Sequence, residues 1–280
     1  MLYTQIAEWE IETGEKFDKY IKLIYYLVYQ FDIWRAQMKR QNVRKLILII
    51  SMLLFPVTIW YMSPYLIIQG AMEGIVTGSF IVFALMLFGA VLFGRLFCGW
   101  ICPMGGMQEC LFDVNEKSPK QGWKNNIKYV IWTVWIITVI VCFLFRKKEI
   151  TIDFFYMTDH GISVTEICNY VIYYGVIVLI LIPAVLWGKR VFCHYFCWMA
   201  PFMVIGTKIR HLLHLPGIHI VSEKEKCISC KKCNQKCPMQ LNVVELVKDN
   251  RDFGTECIQC GACVDNCPKK ALSYGFKRGR

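Results

Sequence analysis

Four uncharged apolar stretches dominate the chain: Leu46 to Met62, Gly74 to Phe93, Tyr129 to Phe145 and Tyr170 to Trp187. Crossing a bilayer takes about 17–25 residues at roughly 1.5 Å each, so each stretch predicts a transmembrane helix. The first and third lie at the lower limit and borrow flanking residues such as Val43 and Ile127, while Pro56 and Pro183 predict kinks in the first and fourth. Upstream, Phe17 to Trp34 mixes aromatic and aliphatic residues with Lys19, Lys22, Gln30 and Asp32. That mixture predicts an amphipathic helix in the cytoplasmic interface, with a soluble helix packed on the C-terminal domain as the alternative. After Pro216 no long apolar run remains, and Leu241 to Val247 suits one small helix. Three parts follow: a cytoplasmic N-terminal segment over 1–44, a four-helix transmembrane domain over 45–215 and a soluble domain over 216–280.

Composition supports this division. Of 280 residues 56% are hydrophobic and 19% charged, with a mean hydropathy of +0.39, which excludes an ordinary soluble domain. Glu8, Glu10, Glu12 and Glu15 near the N-terminus are the opposite of a signal peptide's basic region, so the N-terminus is expected in the cytoplasm. Thiols are kept reduced there, and closely spaced cysteines read as metal ligands before disulfides. Orientation follows from the basic residues of the short loops. Arg35, Lys39, Arg40, Arg44 and Lys45 precede the first span, Arg95, Lys117, Lys120, Lys124 and Lys128 lie between the second and third, and Lys189 and Arg190 follow the fourth. Against these twelve, the opposite side carries Arg146, Lys147 and Lys148. Both termini and the second-to-third loop are therefore expected in the cytoplasm. The net charge of +11 is accounted for by basic residues flanking the spans, where they meet anionic lipid, so no nucleic acid is needed.

The chain also repeats itself. Arg95-Leu-Phe-Cys98-Gly-Trp-Ile-Cys102 returns as Arg190-Val-Phe-Cys193-His-Tyr-Phe-Cys197, with 95 residues between matching positions. Each motif follows an even-numbered span, so the two hairpins run parallel and both cysteine pairs reach the cytoplasmic face. Four thiols can then converge. Pro103 predicts a helix break at Cys102 and a new start after it, whereas Trp198 stands in the second copy and Pro201 follows four residues after Cys197. Cys98, Cys102, Cys193 and Cys197 are thus candidate ligands of a metal centre or third Fe-S cluster. Packing thiols and a redox-active disulfide remain as alternatives.

The soluble domain carries the more specific pattern. Cys227, Cys230, Cys233 and Cys237-Pro238 are followed by Cys257, Cys260, Cys263 and Cys267-Pro268, which is CxxCxxCxxxCP twice. This is the spacing of two [4Fe-4S] cubes in which the fourth cysteine of each run ligates the other cluster. One set is Cys227, Cys230, Cys233 and Cys267, the other Cys257, Cys260, Cys263 and Cys237. Zinc prefers two CxxC pairs with a longer insert and has no use for a third close cysteine. A domain this small needs such cofactors as staples. From Glu223 to Tyr274 the sequence resembles bacterial dicluster ferredoxins. Gly261 and Ala262 keep the backbone close to the second cube, while Lys231 and Lys232 near the first read either as solvated surface or as charges that favour its reduced state and predict for it the higher potential. The domain is otherwise nearly balanced, with nine Lys+Arg and seven Asp+Glu between Glu223 and Ala271, so it has no strong field to steer a partner.

Cys110, Cys142 and Cys168 stand alone and read as packing thiols. His160, His194, His211, His214 and His219 all lie outside the four spans, which excludes a bis-histidine haem in the bilayer. Four spans, CGWICPMGG after the second, CHYFCWMAPF after the fourth and the C-terminal dicluster run together resemble the NapH/MauN-type membrane polyferredoxins from about Lys45 onward. Residues 1–44 have no counterpart in that resemblance, and the second motif departs from the family's usual CP.

The fold class expected is an α-helical membrane protein with four transmembrane helices in two parallel hairpin repeats, plus a small α+β bacterial-type 2[4Fe-4S] ferredoxin domain. The resemblance implies a multi-pass protein of the prokaryotic cytoplasmic membrane that passes electrons between the quinone pool and a partner redox protein, as a quinol dehydrogenase subunit does. A metal reductase, assembly factor or redox sensor using the CxxxC thiols is the alternative. Oxidising a quinol needs proton acceptors, and Glu73, His160 and Glu166 on the outer side and Glu109 on the inner side are the titratable candidates, each also readable as an ordinary loop residue.

Overall fold

The computed structural model describes residues 40–278 apart from 113, 116, 118–121 and 146–148. The expected interfacial helix over Phe17 to Trp34 and the cations Arg146 to Lys148 lie outside the described residues. Arg44–Arg280 forms one compact unit; of the other, Met1–Val43, only the opening turn of helix α1 (Arg40–Leu53) is described.

The first apolar stretch is not one helix. After α1 come a four-residue helix, Phe55–Thr58, with Pro56 in its first turn, and a 3-10 turn, Trp60–Met62. Proline cannot donate within a helix, and the carbonyls freed by the break must find partners elsewhere. Val164 N donates to Pro56 O at 3.1 Å, Ser163 Oγ to Val57 O at 2.6 Å, and the Ser79 hydroxyl to Trp60 O. The indole N–H of Trp198 donates to Met62 O at 3.2 Å and that of Trp135 to Pro64 O at 3.0 Å. Irregular backbone survives in apolar surroundings when it is satisfied in this way inside the protein.

Helix α2 (Pro64–Glu73) follows, capped by Ser63, and ends at Gly74, whose φ of 77° suits glycine. Strand β1 (Ile75–Thr77) pairs in parallel with β2 (Thr151–Asp153). Helix α3 (Gly78–Phe93) leads through Gly94 into the five-residue α4 (Leu96–Trp100) and then α5 (Pro103–Cys110), with Pro103 at the start of α5 as expected. Helices α6 (Ile127–Phe145) and α7 (Ile167–Trp187) are the two long ones, and α7 continues through Pro183. Next come the five-residue α8 (Val191–Tyr195) and α9 (Ala200–Leu212). Phe202 of α9 stacks on Phe83 of α3 at 5.3 Å and meets the edges of Trp132 and Trp135 from α6, which makes an aromatic core.

Helices α6 and α7 are long and apolar enough to cross a membrane, and α3 is apolar but shorter. Only 11% and 17% of the apolar windows in α6 and α7 are buried. Val130, Val134 and Leu144 on one and Val171 and Leu186 on the other face outward. Such faces are not the core of a water-soluble fold.

The C-terminal part is closed by an antiparallel pair, β3 (Pro216–Ser222) with β4 (Leu272–Arg278), which ties its two ends together. Between them lie short helices α10 (Lys232–Lys236), α11 (Val243–Lys248) and α12 (Ala262–Asp265). Strand β3 packs on the end of α3: a Cβ on Gly217 would stand 2.6 Å from Leu92 O.

Candidate iron-sulfur centres

The two cysteine runs of the C-terminal part fold as copies 30 residues apart. Ser229 and Lys231 in one loop, and Gln259 and Gly261 in the other, have positive φ (57°, 60°, 52° and 75°). Gln240 and Lys270, three residues after the final cysteine of each run, do so as well. Alternating backbone of this kind turns successive N–H groups inward and makes a concavity that suits an anionic cluster. One cavity is lined by Cys227, Cys230, Cys233 and Cys267. A second is lined by Cys257, Cys260, Cys263 and Cys237. The structure thus brings together the two crossed sets read from spacing.

Among the described residues no three His, Cys, Asp or Glu side chains stand close enough to share one metal ion. A cube offers an iron at each of four corners, so its ligand sulfurs stand further apart than those around one ion, and the donor set fits a cluster. Burial pushes the Cys237 thiol up to about 11, although N–H groups of Leu241, Met239 and Gln240 favour its anion. A thiolate there needs the cationic partner that iron supplies.

The two CxxxC motifs also share one backbone. Cys102 N bonds to Phe97 O and Cys197 N to Phe192 O, both at 2.9 Å. All four sulfurs are buried. Burial first, and then the charges of the neighbouring Cys98, Cys193 and Cys197, raise the Cys102 thiol well above its ordinary value. Burial takes Cys197 to about 12. Gln108 donates to Cys193 Sγ at 3.2 Å and accepts from Phe192 N at 3.1 Å, so it bridges the copies. None of Cys110, Cys142 and Cys168 is in a disulfide; Cys142 is half-buried, but Cys110 and Cys168 are exposed, which corrects their reading as packing thiols.

The first motif is seated on the loop of the second cube. A Cβ on Gly99 would stand 2.2 Å from Ile258 O and 3.4 Å from Cys260 N. Trp100 Nε1 donates to Gln259 O at 3.0 Å, and Tyr274 OH reaches the same oxygen at 2.6 Å. Backbone lies against backbone between the two sets of cysteines.

Four cations expected among lipid headgroups are instead buried. Arg44, Arg95, Lys128 and Arg190 are 4%, 1%, 0% and 0% exposed. Arg95 and Lys128 each hold Glu256 at 2.7 Å. Burial opposes the Glu256 charge, but the two cations outweigh it and hold the carboxyl down at about 2. Arg44 pairs with Glu109 at 2.7 Å, Arg190 pairs with the same carboxylate, and Arg190 Nη1 also donates to Cys98 O at 2.8 Å. Burial opposes the Glu109 charge too, but Arg190 and Arg44 keep it below the usual carboxylate range. Glu109 is therefore a structural anion, which corrects its reading as a loop residue or proton acceptor. The signal was the arginine standing three residues before each CxxxC pair, counted above only as loop charge.

The remaining candidates separate. Glu73 bonds to Tyr156, and His160 pairs with Asp159 at 2.6 Å on the surface. Glu166 precedes α7 and lines a cavity together with Gln69 of α2 and Trp198.

Comparison with known proteins completes the picture. A family described as "4Fe-4S binding domain" matches residues 75–121 and again 169–216, once per repeat, and a "4Fe-4S dicluster domain" matches 226–272. Two relatives are decisive. YccM of Escherichia coli, named for electron transport, is 22% identical over 233 residues, 76% of this chain and 60% of its own. The ferredoxin-type protein NapH of Haemophilus influenzae is 22% identical over 199 residues, 69% of this chain and 66% of its own. The chain is a NapH-type polyferredoxin. This polyferredoxin is also 26% identical to an uncharacterized protein of Methanocaldococcus jannaschii over 263 residues, 88% of the chain and 94% of that relative. No solved structure matches it. Its cofactors are [4Fe-4S] clusters, and its family is one of iron-sulfur electron transport.

Proposed function

We propose that this polyferredoxin is a membrane-bound electron carrier between the quinone pool and a partner oxidoreductase. The Arg40–Met62 path, α3, α6 and α7 cross the bilayer, and both termini and the ferredoxin domain lie in the cytoplasm. Two [4Fe-4S] clusters are held by the crossed cysteine sets, and a third centre by Cys98, Cys102, Cys193 and Cys197. When bound, such clusters supply one-electron steps and take no substrate themselves. The chain's own residues set spacing and environment: Gln108 donates to one ligand sulfur, Arg190 braces the carbonyl of another ligand, and Trp100 fixes the loop of the second cube. The observation that carries this reading is the seating of Gly99 on Ile258 and Cys260, which supports an unbroken path from the CxxxC centre into the ferredoxin domain. Electron transfer needs such proximity; packing thiols do not.

The test is anaerobic iron and sulfide quantitation with EPR on the intact protein and on Cys98→Ser/Cys193→Ser, before and after adding a quinol analogue. The expected result is a loss of about four irons per chain in the variant and quinol-driven reduction only in the intact protein. Equal iron in both would remove the third centre, and clusters unmoved by quinol would overturn the quinone link.

A further inference from the structure

The two cavities of the ferredoxin domain differ in what surrounds them. The one lined by Cys257, Cys260, Cys263 and Cys237 has three of its four thiols buried, and Gly99 and Trp100 are seated on its loop. Every residue lining the other lies between Lys226 and Leu272, and Cys230 there is exposed. The first set of cysteines is therefore at the open end of the domain. Electron transfer falls steeply with distance, so a soluble partner must come to this end.

Charge is placed unevenly around it. The near-even tally of basic and acidic residues in the domain hides this, because most of the acids are already engaged. Glu256 is taken by Arg95 and Lys128 of the helical part, Glu245 and Asp249 share Arg251, and Glu223 holds Lys226 at 2.6 Å. Four exposed lysines have no ion pair among the described residues: Lys231 and Lys232, between Cys230 and Cys233, and Lys269 and Lys270, just after Cys267 and Pro268. Ile228, 58% exposed, lines the same cavity as Lys226 and Lys269 and adds an apolar centre. Small transient interfaces have this make-up: opposite charge speeds the encounter, and a little apolar area holds it briefly. Anionic lipid also attracts lysine, but no residue of the helical part shares this cavity.

We propose that this lysine-rimmed face docks an acidic soluble redox protein, whose carboxylates meet Lys231, Lys232, Lys269 and Lys270 around Ile228. This rests on the electron-transfer reading above. Each electron lost by one of the two proteins is gained by the other.

The test is equilibrium binding of a flavodoxin of net negative charge to the full-length protein, held anaerobically in nanodiscs of neutral lipid, with the basic protein cytochrome c as the control. Flavodoxin binding is expected to weaken about tenfold as the ionic strength rises from about 0.01 M to about 0.15 M, which shortens the screening length from about 30 Å to about 8 Å. Lys231→Glu/Lys232→Glu and, separately, Lys269→Glu/Lys270→Glu are expected to weaken it about tenfold at the lower salt with iron content unchanged. Lys231→Arg/Lys232→Arg, and Lys208→Glu at an exposed position of α9, are expected to leave it as it is. Flavodoxin held no tighter than cytochrome c, binding indifferent to salt, or intact binding in both charge-reversed variants would overturn the proposal. Binding of anionic phospholipid vesicles but not of flavodoxin would assign the lysines to lipid and likewise overturn it. Flavodoxin docking of the expected kind on a protein whose clusters no quinol analogue reduces would overturn the electron-transfer reading and keep the face. Quinol-driven reduction without flavodoxin docking would do the reverse.

Discussion

The two CxxxC repeats have the same backbone and different duties. Both run from an apolar helix through a glycine and an arginine into a five-residue helix with the first cysteine, and both close the second cysteine onto the carbonyl five residues back. What differs is the residue after the first cysteine. Gly99 in the first copy lets the backbone of the ferredoxin domain approach to contact. The second copy has His194, fully buried, its ring held neutral by burial, which takes its pKa down to about 3. The arginines diverge in the same way. Arg95 reaches across to Glu256 beside Cys257, whereas Arg190 turns inward to Glu109 and the Cys98 carbonyl. One copy docks the C-terminal part, and the other braces the first motif. A repeat supplies two equal frames, and single side chains assign them separate tasks.

The largest way to break this arrangement is Glu109→Gln, which leaves Arg44 and Arg190 buried without a counter-charge. It should cost about 3–5 kcal/mol, read as a lowered unfolding midpoint in detergent. The same carboxylate gives a pH dependence. Its folded pKa is depressed, so its contribution is present above the ordinary carboxylate range and is lost as pH falls through the lower folded value. Acid unfolding should therefore shift to higher pH in the variant.

Glu256→Gln comes next, because this carboxylate is 22% exposed and its loss is partly relieved by water. It should loosen the ferredoxin domain rather than the helices, seen as faster proteolysis at the exposed Leu212 and Leu213 before β3 with the helical unit intact. A smaller effect, about 1–3 kcal/mol, is expected from Gly99→Ala, whose methyl must push Ile258 O away. The matched His194→Ala should leave domain docking unchanged, and equal effects in the two copies would erase the distinction between them. Smallest is Gln108→Leu. With the proposed centre at the CxxxC cysteines, losing its N–H at Cys193 removes about 1 kcal/mol of preference for the more anionic, reduced state, a fall of roughly 40 mV by redox titration.

The course of the first apolar stretch shows where pattern runs out. Hydrophobicity marks Leu46 to Met62 as an apolar stretch but does not say whether the backbone is regular. The break after Leu53 survives because Ser163, Val164, Ser79, Trp135 and Trp198, from segments distant in sequence, satisfy the freed carbonyls. The same holds for charge. Arg44, Arg95, Lys128 and Arg190 read from the sequence as loop cations, yet their partners Glu109 and Glu256 lie 65 to 161 residues away at their nearest and farthest.

What this sequence determined by itself is the chemistry that fits within one loop. Three cysteines two residues apart with a fourth before proline define a cradle locally, so the sets of cysteines that line each cavity were legible, as was the repeat that matches Cys98 with Cys193. Only the tertiary structure decided that glycine rather than histidine faces the ferredoxin domain, that the arginines before the thiols are buried, and that Gln69, Glu166 and Trp198 enclose one cavity. Those outcomes depend on close approach of segments far apart in the chain, and no local periodicity encodes which distant atom will be the neighbour.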